Sequence, residues 1–279
     1  MDIKKMLAVA TAIVGTAVTA DGIVSSSVVG YQGQEANASG NTMMAPTFLS
    51  VNSATGCTLA DLTVTGYDKP ELVDPDEGEY EGGCIGGQFI LSFLTSSGSY
   101  ENRYYWIDDG EIGPGWFRNA GGAAISGGAS SVTIEAGKAA WVLGKGLTLQ
   151  TAGQVCESDV AKVMNSSGNT ASGNCMPIDL TLAKLTVSGY DAPELVDPDE
   201  GEYEGGCIGG QFILSYLTGT GSYEARYYWI DDGETGPGWY RNAGGAAISG
   251  GAASVSVPAG KGFWVLGKGL TLNFPAPEL

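Results

Sequence analysis

Apolar residues occur along this chain in short runs separated by glycine-rich turns. The stretch "GGQFILSFL" at 86–94 is one such run, and "YENRYYWI" at 100–107 follows it after the turn residues "TSSGS". Successive residues of the second stretch, such as Tyr104 and Tyr105, fall on opposite faces with a period of two, which is typical of a β-strand. Together the two stretches predict a β-hairpin.

A second strand pattern lies further along the chain. The stretch "SVTIEAGKAAWVLGKGLTL" at 131–149 predicts strand, tight turn, strand, turn, strand. Its counterpart at 254–272 contains Pro258, which suits the first central position of the turn. The stretch "TLADL" at 58–62 predicts one helical turn. Short strands with glycine-rich turns throughout predict an all-β protein of the β-sandwich or barrel type.

The sequence contains an internal repeat. The sequence "PELVDPDEGEYEGGCIGGQFILS" at 70–92 recurs letter for letter at 193–215. Residues 62–149 align with 185–272 without a gap, at an offset of 123; 14 of the 88 positions differ, which leaves 74 identical. Each unit of about 125 residues is long enough for its own core. We therefore predict two tandem β-sandwich-like (or barrel-like) domains from an internal duplication, at 21–154 and 155–279.

The N-terminus predicts an export signal at 1–20. Lys4 and Lys5 precede an apolar segment at 6–18, and Ala20 places a small residue just before the expected cleavage site. This segment is too short to span a membrane as a helix, which needs about 20 residues. We expect a secreted protein of the cell surface or extracellular space that is not inserted in the membrane after cleavage.

The composition of the chain excludes several classes of function. The net charge is −18, and removal of Asp2, Lys4 and Lys5 with the signal makes it −19, so the chain repels nucleic acid and anionic lipid. Histidine is absent, which removes the commonest general base and the commonest zinc ligand. No serine elbow, phosphate loop or metalloprotease motif occurs. We therefore expect a protein that is not an enzyme.

Each copy carries a block of acidic residues. Close-set carboxylates repel one another, and Ca²⁺, which takes six to eight oxygen ligands, would neutralise them. The alternative is a solvated acidic loop, because the spacing does not match an EF-hand. The candidate calcium ligands are Asp74, Asp76, Glu77, Glu79, Asp197, Asp199, Glu200 and Glu202.

Two tryptophans flank an acidic turn in each copy. They are Trp106 and Trp116 in the first copy and Trp229 and Trp239 in the second. A sugar ring stacked on these side chains, with carboxylates binding its hydroxyls, is one interpretation. Packing in the core or at its rim is the other.

Five cysteines are present: Cys57, Cys84, Cys156, Cys175 and Cys207. The odd number leaves at least one unpaired within a monomer. The pairs Cys57–Cys84 and Cys175–Cys207 are candidates, each closing a loop of about thirty residues and contributing roughly 3–4 kcal/mol, with Cys156 left over. The alternative is that several are buried thiols.

The segment that follows the cleavage site carries "VVGYQ" at 28–32 and "MAPTF" at 44–48, and "YYW" and "GW" occur later, at 104–106 and 115–116. In these motifs the chain resembles a group of uncharacterised secreted bacterial proteins. The resemblance implies an exported β-rich protein and no known activity. The second copy lacks the first two motifs, so we expect its first strands to be replaced or missing.

These observations favour a non-enzymatic structural or adhesive protein, with calcium as its only candidate cofactor. Its partners would be a glycan or a surface protein. One alternative is a carbohydrate-binding module that uses the paired tryptophans. Another is a self-assembling surface or filament subunit whose arm at 22–31 pairs with an exposed strand edge of a second copy.

Overall fold

The chain is all-β, as predicted. The computed structural model describes residues 17–19, 22–24, 28–51, 53–67, 89–95, 97–100, 103–108, 114–119, 125–190, 213–217, 223–231, 237–242 and 248–278. Within these ranges the helical structure consists of single 3₁₀ turns at Leu59–Asp61 and Leu182–Lys184. The first of these is the predicted helical turn. None of the helices in the described ranges is long and apolar enough to span a membrane.

We refer to residues 21–154 as repeat 1 and to residues 155–279 as repeat 2. A short hairpin, β1 (Ala17–Thr19) and β2 (Gly22–Val24), straddles the predicted cleavage site. The further strands of repeat 1 are β3 (Val29–Glu35), β4 (Asn41–Met44), β5 (Gly56–Thr58), β6 (Leu62–Thr65), β7 (Ile90–Phe93), β8 (Tyr104–Ile107), β9 (Gly115–Asn119), β10 (Ile125–Gly128), β11 (Thr133–Glu135), β12 (Ala140–Leu143) and β13 (Thr148–Gln154). Those of repeat 2 are β14 (Val160–Val163), β15 (Asn169–Gly173), β16 (Leu180–Thr181), β17 (Thr186–Ser188), β18 (Ile213–Leu217), β19 (Tyr223–Ile230), β20 (Gly238–Asn242), β21 (Ile248–Gly251), β22 (Ser256–Val257), β23 (Gly262–Leu266) and β24 (Thr271–Phe274).

Both repeats build the same three antiparallel sheets. In repeat 1 the strand orders are β4-β12-β7-β8-β9-β10, β3-β13-β6 and β11-β5. In repeat 2 they are β15-β23-β18-β19-β20-β21, β14-β24-β17 and β22-β16. Strands β14 and β15 thus occupy the places of β3 and β4, so the first strands of repeat 2 are replaced rather than missing.

The six-stranded and three-stranded sheets of each repeat share one apolar core. In repeat 1, Leu62 and Leu149 of the smaller sheet belong to the same buried cluster as Leu91 and Trp106 of the larger one. In repeat 2 the equivalent cluster includes Leu185 and Leu272. Apolar residues that alternate along a strand direct one face into such a core. The arrangement is that of a β-sandwich.

The predicted hairpin at 86–107 is confirmed as β7 paired with β8, and the pattern at 131–149 as β11, β12 and β13. The position predicted for Pro258 is wrong by one residue. Lys261 N donates to Pro258 O, so Pro258 opens the turn and Ala259 and Gly260 are its central residues. The reason is that Gly260 has φ +72°, and a turn of this kind needs a glycine at its second central position.

Candidate functional site

The two repeats meet along strands β4 and β12 of repeat 1 and β15 and β23 of repeat 2. Lys138 forms a β-bridge with Ser172, and Met44 forms the equivalent bridge with Lys261. Lys138 and Lys261 are equivalent because they are 123 residues apart. Met44 and Ser172 are equivalent because they pair with the same positions of β12 and β23. The two bridges are therefore the same contact with the two repeats exchanged. The junction therefore has an approximate twofold axis.

Backbone hydrogen bonds follow the same reciprocal rule. Gly173 N donates to Gly137 O at 3.1 Å, and Ala45 N donates to Gly260 O at 2.8 Å. Exchanging the repeats converts one bond into the other. Because each bond satisfies a backbone donor at the sheet edge, the junction continues the β-structure from one repeat to the next.

Small residues and one aromatic pair lie at the centre of the junction. Trp141 and its equivalent Trp264 place their ring centroids 5.9 Å apart. Ala45 and Ala139 are buried there with 1% and 0% of their surface exposed. A Cβ built on Gly173 would lie 2.6 Å from the Ala45 Cβ, so the two backbones approach more closely than a side chain at position 173 would permit.

A cavity of about 300 Å³ opens beside this contact. Residues from both repeats line it: Leu94, Thr95, Glu135, Lys138, Lys162, Val163, Asn165, Thr170 and Ala171. Lys162 Nζ lies 2.5 Å from Glu135 Oε2 and bridges the repeats. This hydrogen bond and the charge of Lys162 lower the pKa of the Glu135 carboxyl below its ordinary value.

The remaining polar groups of the cavity are held in place by hydrogen bonds. Asn165 Nδ2 donates to Thr95 O across the junction at 3.2 Å and to Asn169 O at 2.9 Å. Asn165 N donates to Thr170 Oγ1 at 2.7 Å. Lys138 Nζ lies 5.0 Å from the ring centroid of Phe93, within the range of a cation–π contact. The lining is therefore pre-organised.

The equivalent corner on the other side of the axis differs at four of the nine lining positions, two of which have Glu35 for Val163 and Met43 for Ala171. Gln34 stands where repeat 2 has Lys162, and Pro258 stands where repeat 1 has Glu135. Gln34 Nε2 donates to Ala45 O at 3.1 Å, and its amide lies directly over Gly260. That side chain occupies the space on its side of the axis, whereas Lys162 extends towards Glu135.

The predicted tryptophan platforms lie in the core. Trp106 and Trp116 are 5% and 3% exposed, and their ring centroids are 5.5 Å apart in an edge-to-face contact. Trp229 and Trp239 repeat this contact at 5.4 Å. The structure corrects the ligand-platform expectation, because a sugar has no indole face to stack on in this conformation.

Hydrogen bonds explain why these tryptophans can be buried. Trp116 Nε1 donates to Leu62 O at 2.8 Å. Trp106 Nε1 donates to Tyr67 Oη at 3.1 Å, and Tyr67 Oη donates to Asp108 Oδ2 at 2.8 Å. Repeat 2 has the same arrangement, in which Trp229 binds Tyr190 and Tyr190 binds Asp231. Asp108 and Asp231, at the start of the acidic turns, thus have a structural role.

The described cysteines are buried thiols. Cys57, Cys156 and Cys175 are free, and each is at most 3% exposed. Burial raises the pKa of Cys57 to about 12, and the Asp61 carboxylate adds to this effect. Burial likewise raises the pKa of Cys175 to about 12, and Cys156 contributes. As free thiols, Cys57 and Cys175 favour the buried-thiol alternative over the candidate pairs with Cys84 and Cys207, two residues that lie outside the described ones.

The eight candidate calcium ligands at 74–79 and 197–202 also lie outside the described residues, and the calcium hypothesis stays a prediction. Within the ranges that the structure describes, no group of three or more Cys, Asp or Glu side chains is arranged to hold a metal ion.

Comparison with known proteins gives no match to this chain among protein-family models, curated proteins or solved structures. The junction and its cavity are thus defined by geometry alone. Sequence analysis did not single out Glu135, Lys138 or Lys162. A signal existed, because Glu135 and Pro258 are one of the few unlike pairs between the repeats.

Proposed function

We propose that this chain is an exported, non-enzymatic structural or adhesive protein of the cell surface or extracellular space. The observation that supports this proposal is the reciprocal junction, which joins two equivalent β-units into a single body. Such a body holds the two copies of any surface feature at a fixed separation. Two weak sites so linked gain avidity through effective concentration, whereas a single catalytic site gains nothing comparable.

Charge is consistent with this role. The mature chain is strongly acidic, and each copy contains one dense carboxylate block in its sequence. Ca²⁺ bound by these blocks would offset their mutual repulsion and stiffen the segments that carry them. The ion then acts as a structural cofactor.

Export and adhesion are tested together. The full chain and a matched variant lacking residues 1–20 are expressed in bacterial cells and detected with antibody on intact cells and in the medium. We expect the full chain outside and the variant inside. Beads coated with the purified mature chain should cluster with each other or with glycan-coated beads. A full chain that stays inside the cell, or beads that remain dispersed with every partner, would contradict the proposal.

A second candidate function is self-assembly through β3. This strand lies at the edge of its sheet and exposes 47% of Val29 and 54% of Tyr31. An exposed apolar edge is a template for pairing with a second chain. In size-exclusion chromatography with light scattering, Tyr31→Lys should reduce the oligomer. Ile178→Lys, at an exposed apolar residue outside the strands, is the control. An oligomeric state that Tyr31→Lys leaves unchanged, or a mature chain that is monomeric, would refute this function.

A further inference from the structure

We propose that the cavity between the repeats binds a sugar-acid residue, a monosaccharide-sized ring that carries one carboxylate. The inference goes beyond the structural role and does not depend on export or adhesion. It rests on the two lysines that different repeats bring to one cavity in an otherwise strongly acidic chain.

The charge of the lining favours an anion. The whole sequence contains 13 Lys and Arg residues against 31 Asp and Glu, yet two lysines and one glutamate line this cavity. The side chain of Lys162 is only 18% exposed, whereas that of Glu135 is 65% exposed. A cation in such a partly enclosed position interacts several times more strongly with a ligand carboxylate than it would in open water.

The positions of the lysines give the carboxylate a defined place. Lys162 of repeat 2 is held by its hydrogen bond to Glu135. Lys138 of repeat 1 lies against the ring of Phe93, which belongs to the same repeat. Side chains that are already ordered lose little entropy on binding. A carboxylate in the cavity that both lysines line would accept charged hydrogen bonds, which are about twice as strong as neutral ones.

The rest of the lining suits a polyhydroxylated ring. Thr170 supplies a hydroxyl group, and Asn165, whose two amide hydrogens are already donated, supplies an amide oxygen, while Leu94, Val163 and Ala171 supply apolar surface. Thr170 Oγ1 already accepts a hydrogen bond from Asn165 N, which leaves the hydroxyl hydrogen to donate to a ligand. A volume of about 300 Å³ is at the small end of ligand pockets and suits one sugar ring.

The opposite corner of the junction provides a built-in control. Lys261 is the equivalent of Lys138, but its neighbours are Gln34 and Pro258 in place of Lys162 and Glu135. A carboxylate there would meet one ammonium group and a space that Gln34 already occupies. Only the corner formed by Lys138 and Lys162 therefore has the proposed specificity.

The test is calorimetric titration of the mature chain, residues 21–279, with sodium glucuronate and, separately, with glucose. Glucuronate should bind and glucose should bind at least about tenfold more weakly, the scale of one lost charged hydrogen bond. Lys138→Gln and Lys162→Gln should each weaken glucuronate binding by about tenfold or more, and Lys261→Gln should leave it unchanged. Circular dichroism checks that every variant is folded. A trisaccharide ending in glucuronate shows whether the ligand is a free sugar acid or a chain terminus.

Three results would overturn the proposal. Failure of glucuronate to bind at about 50 mM would show that the cavity is not a sugar-acid site, because a Kd above that concentration is too weak for specific binding. Equal binding of glucose would show that the lysines do not recognise charge. Equal losses in Lys138→Gln and Lys261→Gln would show that the ligand binds elsewhere.

Discussion

A single methyl group added at position 173 would test the junction between the repeats. A Cβ on Gly173 would lie 2.6 Å from the Ala45 Cβ, 2.9 Å from Lys261 O and 3.0 Å from Gly262 Cα. All three distances are shorter than ordinary van der Waals contacts. Since the Gly173 backbone does not have a positive φ, the substitution Gly173→Ala adds a steric clash without a backbone penalty.

The steric clash determines how much stability Gly173→Ala should lose. Overpacking of a tight contact costs about 1–3 kcal/mol. For a chain of this size each kcal/mol lowers the melting temperature by roughly 2–4 °C. Ala45→Gly alone removes a buried methyl and should cost about 1 kcal/mol. The double variant Ala45→Gly/Gly173→Ala removes the clash with the Ala45 Cβ but keeps those with Lys261 O and Gly262 Cα, so it should recover part of the loss caused by Gly173→Ala.

The assay is urea unfolding of the mature chain and these three variants, analysed as a double-mutant cycle. Gly251→Ala is the control in repeat 2, because no described residue lies within 4 Å of a Cβ built there. It should change stability by no more than about 0.5 kcal/mol. A Gly173→Ala variant as stable as the parent, or effects of the two single changes that simply add, would refute the packing of Ala45 against Gly173.

Three further predictions concern the buried hydrogen bonds, the buried thiols and the acidic blocks of the sequence. Tyr67→Phe leaves the buried indole of Trp106 without its hydrogen-bond partner and should lower the free energy of unfolding in urea by about 1–3 kcal/mol. Tyr190→Phe should do the same through Trp229. Unchanged unfolding midpoints would contradict these hydrogen bonds. Native Cys57 and Cys175 should resist iodoacetamide at pH 8 and react in urea. The pKa of these two thiols is about 12 in the folded chain and 9.0 ordinarily, so the unfolded chain loses the thiol protons first. The free energy of unfolding that the thiols contribute is therefore complete below about pH 9 and falls as the pH rises towards 12. Cys57→Ala should make this fall shallower, and an equally steep fall in the variant would contradict the prediction. Millimolar Ca²⁺ should raise the melting temperature of the mature chain and chelator should lower it, and a melting temperature indifferent to both removes the calcium hypothesis.

Local patterns predicted the strands, because the period of two in "YENRYYWI" and the turn in "GKGL" depend on neighbouring residues alone. The same patterns could not tell how strand β8 is covered. Tyr104 and Tyr105 lie on opposite faces, yet both are buried, at 3% and 4% exposure. Alternation shows that two faces exist but not what packs against each of them, and for this reason the tryptophan platforms were predicted as one of two alternatives.

The junction could not be predicted from the sequence. The match of "NASGNT" at 37–42 with "NSSGNT" at 165–170 puts Ala45 and Gly173 at equivalent positions, but it does not show that the two residues touch. The cavity depends on this packing as well, since Glu135 and Lys162 come from different repeats. Contacts between distant segments leave no periodic signal. The unlike pair Glu135 and Pro258 is a local hint that the two corners differ.

The contact between Trp141 and Trp264 is the most direct test of whether the two repeats form one body. In a nuclear Overhauser spectrum of the mature chain with labelled tryptophan rings, we expect cross-peaks between these two indoles, whose centroids lie 5.9 Å apart. Trp141→Phe and Trp264→Phe assign the signals. The pairs within each repeat, Trp106 with Trp116 and Trp229 with Trp239, serve as internal standards at 5.5 and 5.4 Å. Cross-peaks for both standards with none between Trp141 and Trp264 would contradict the joining of the repeats into one body.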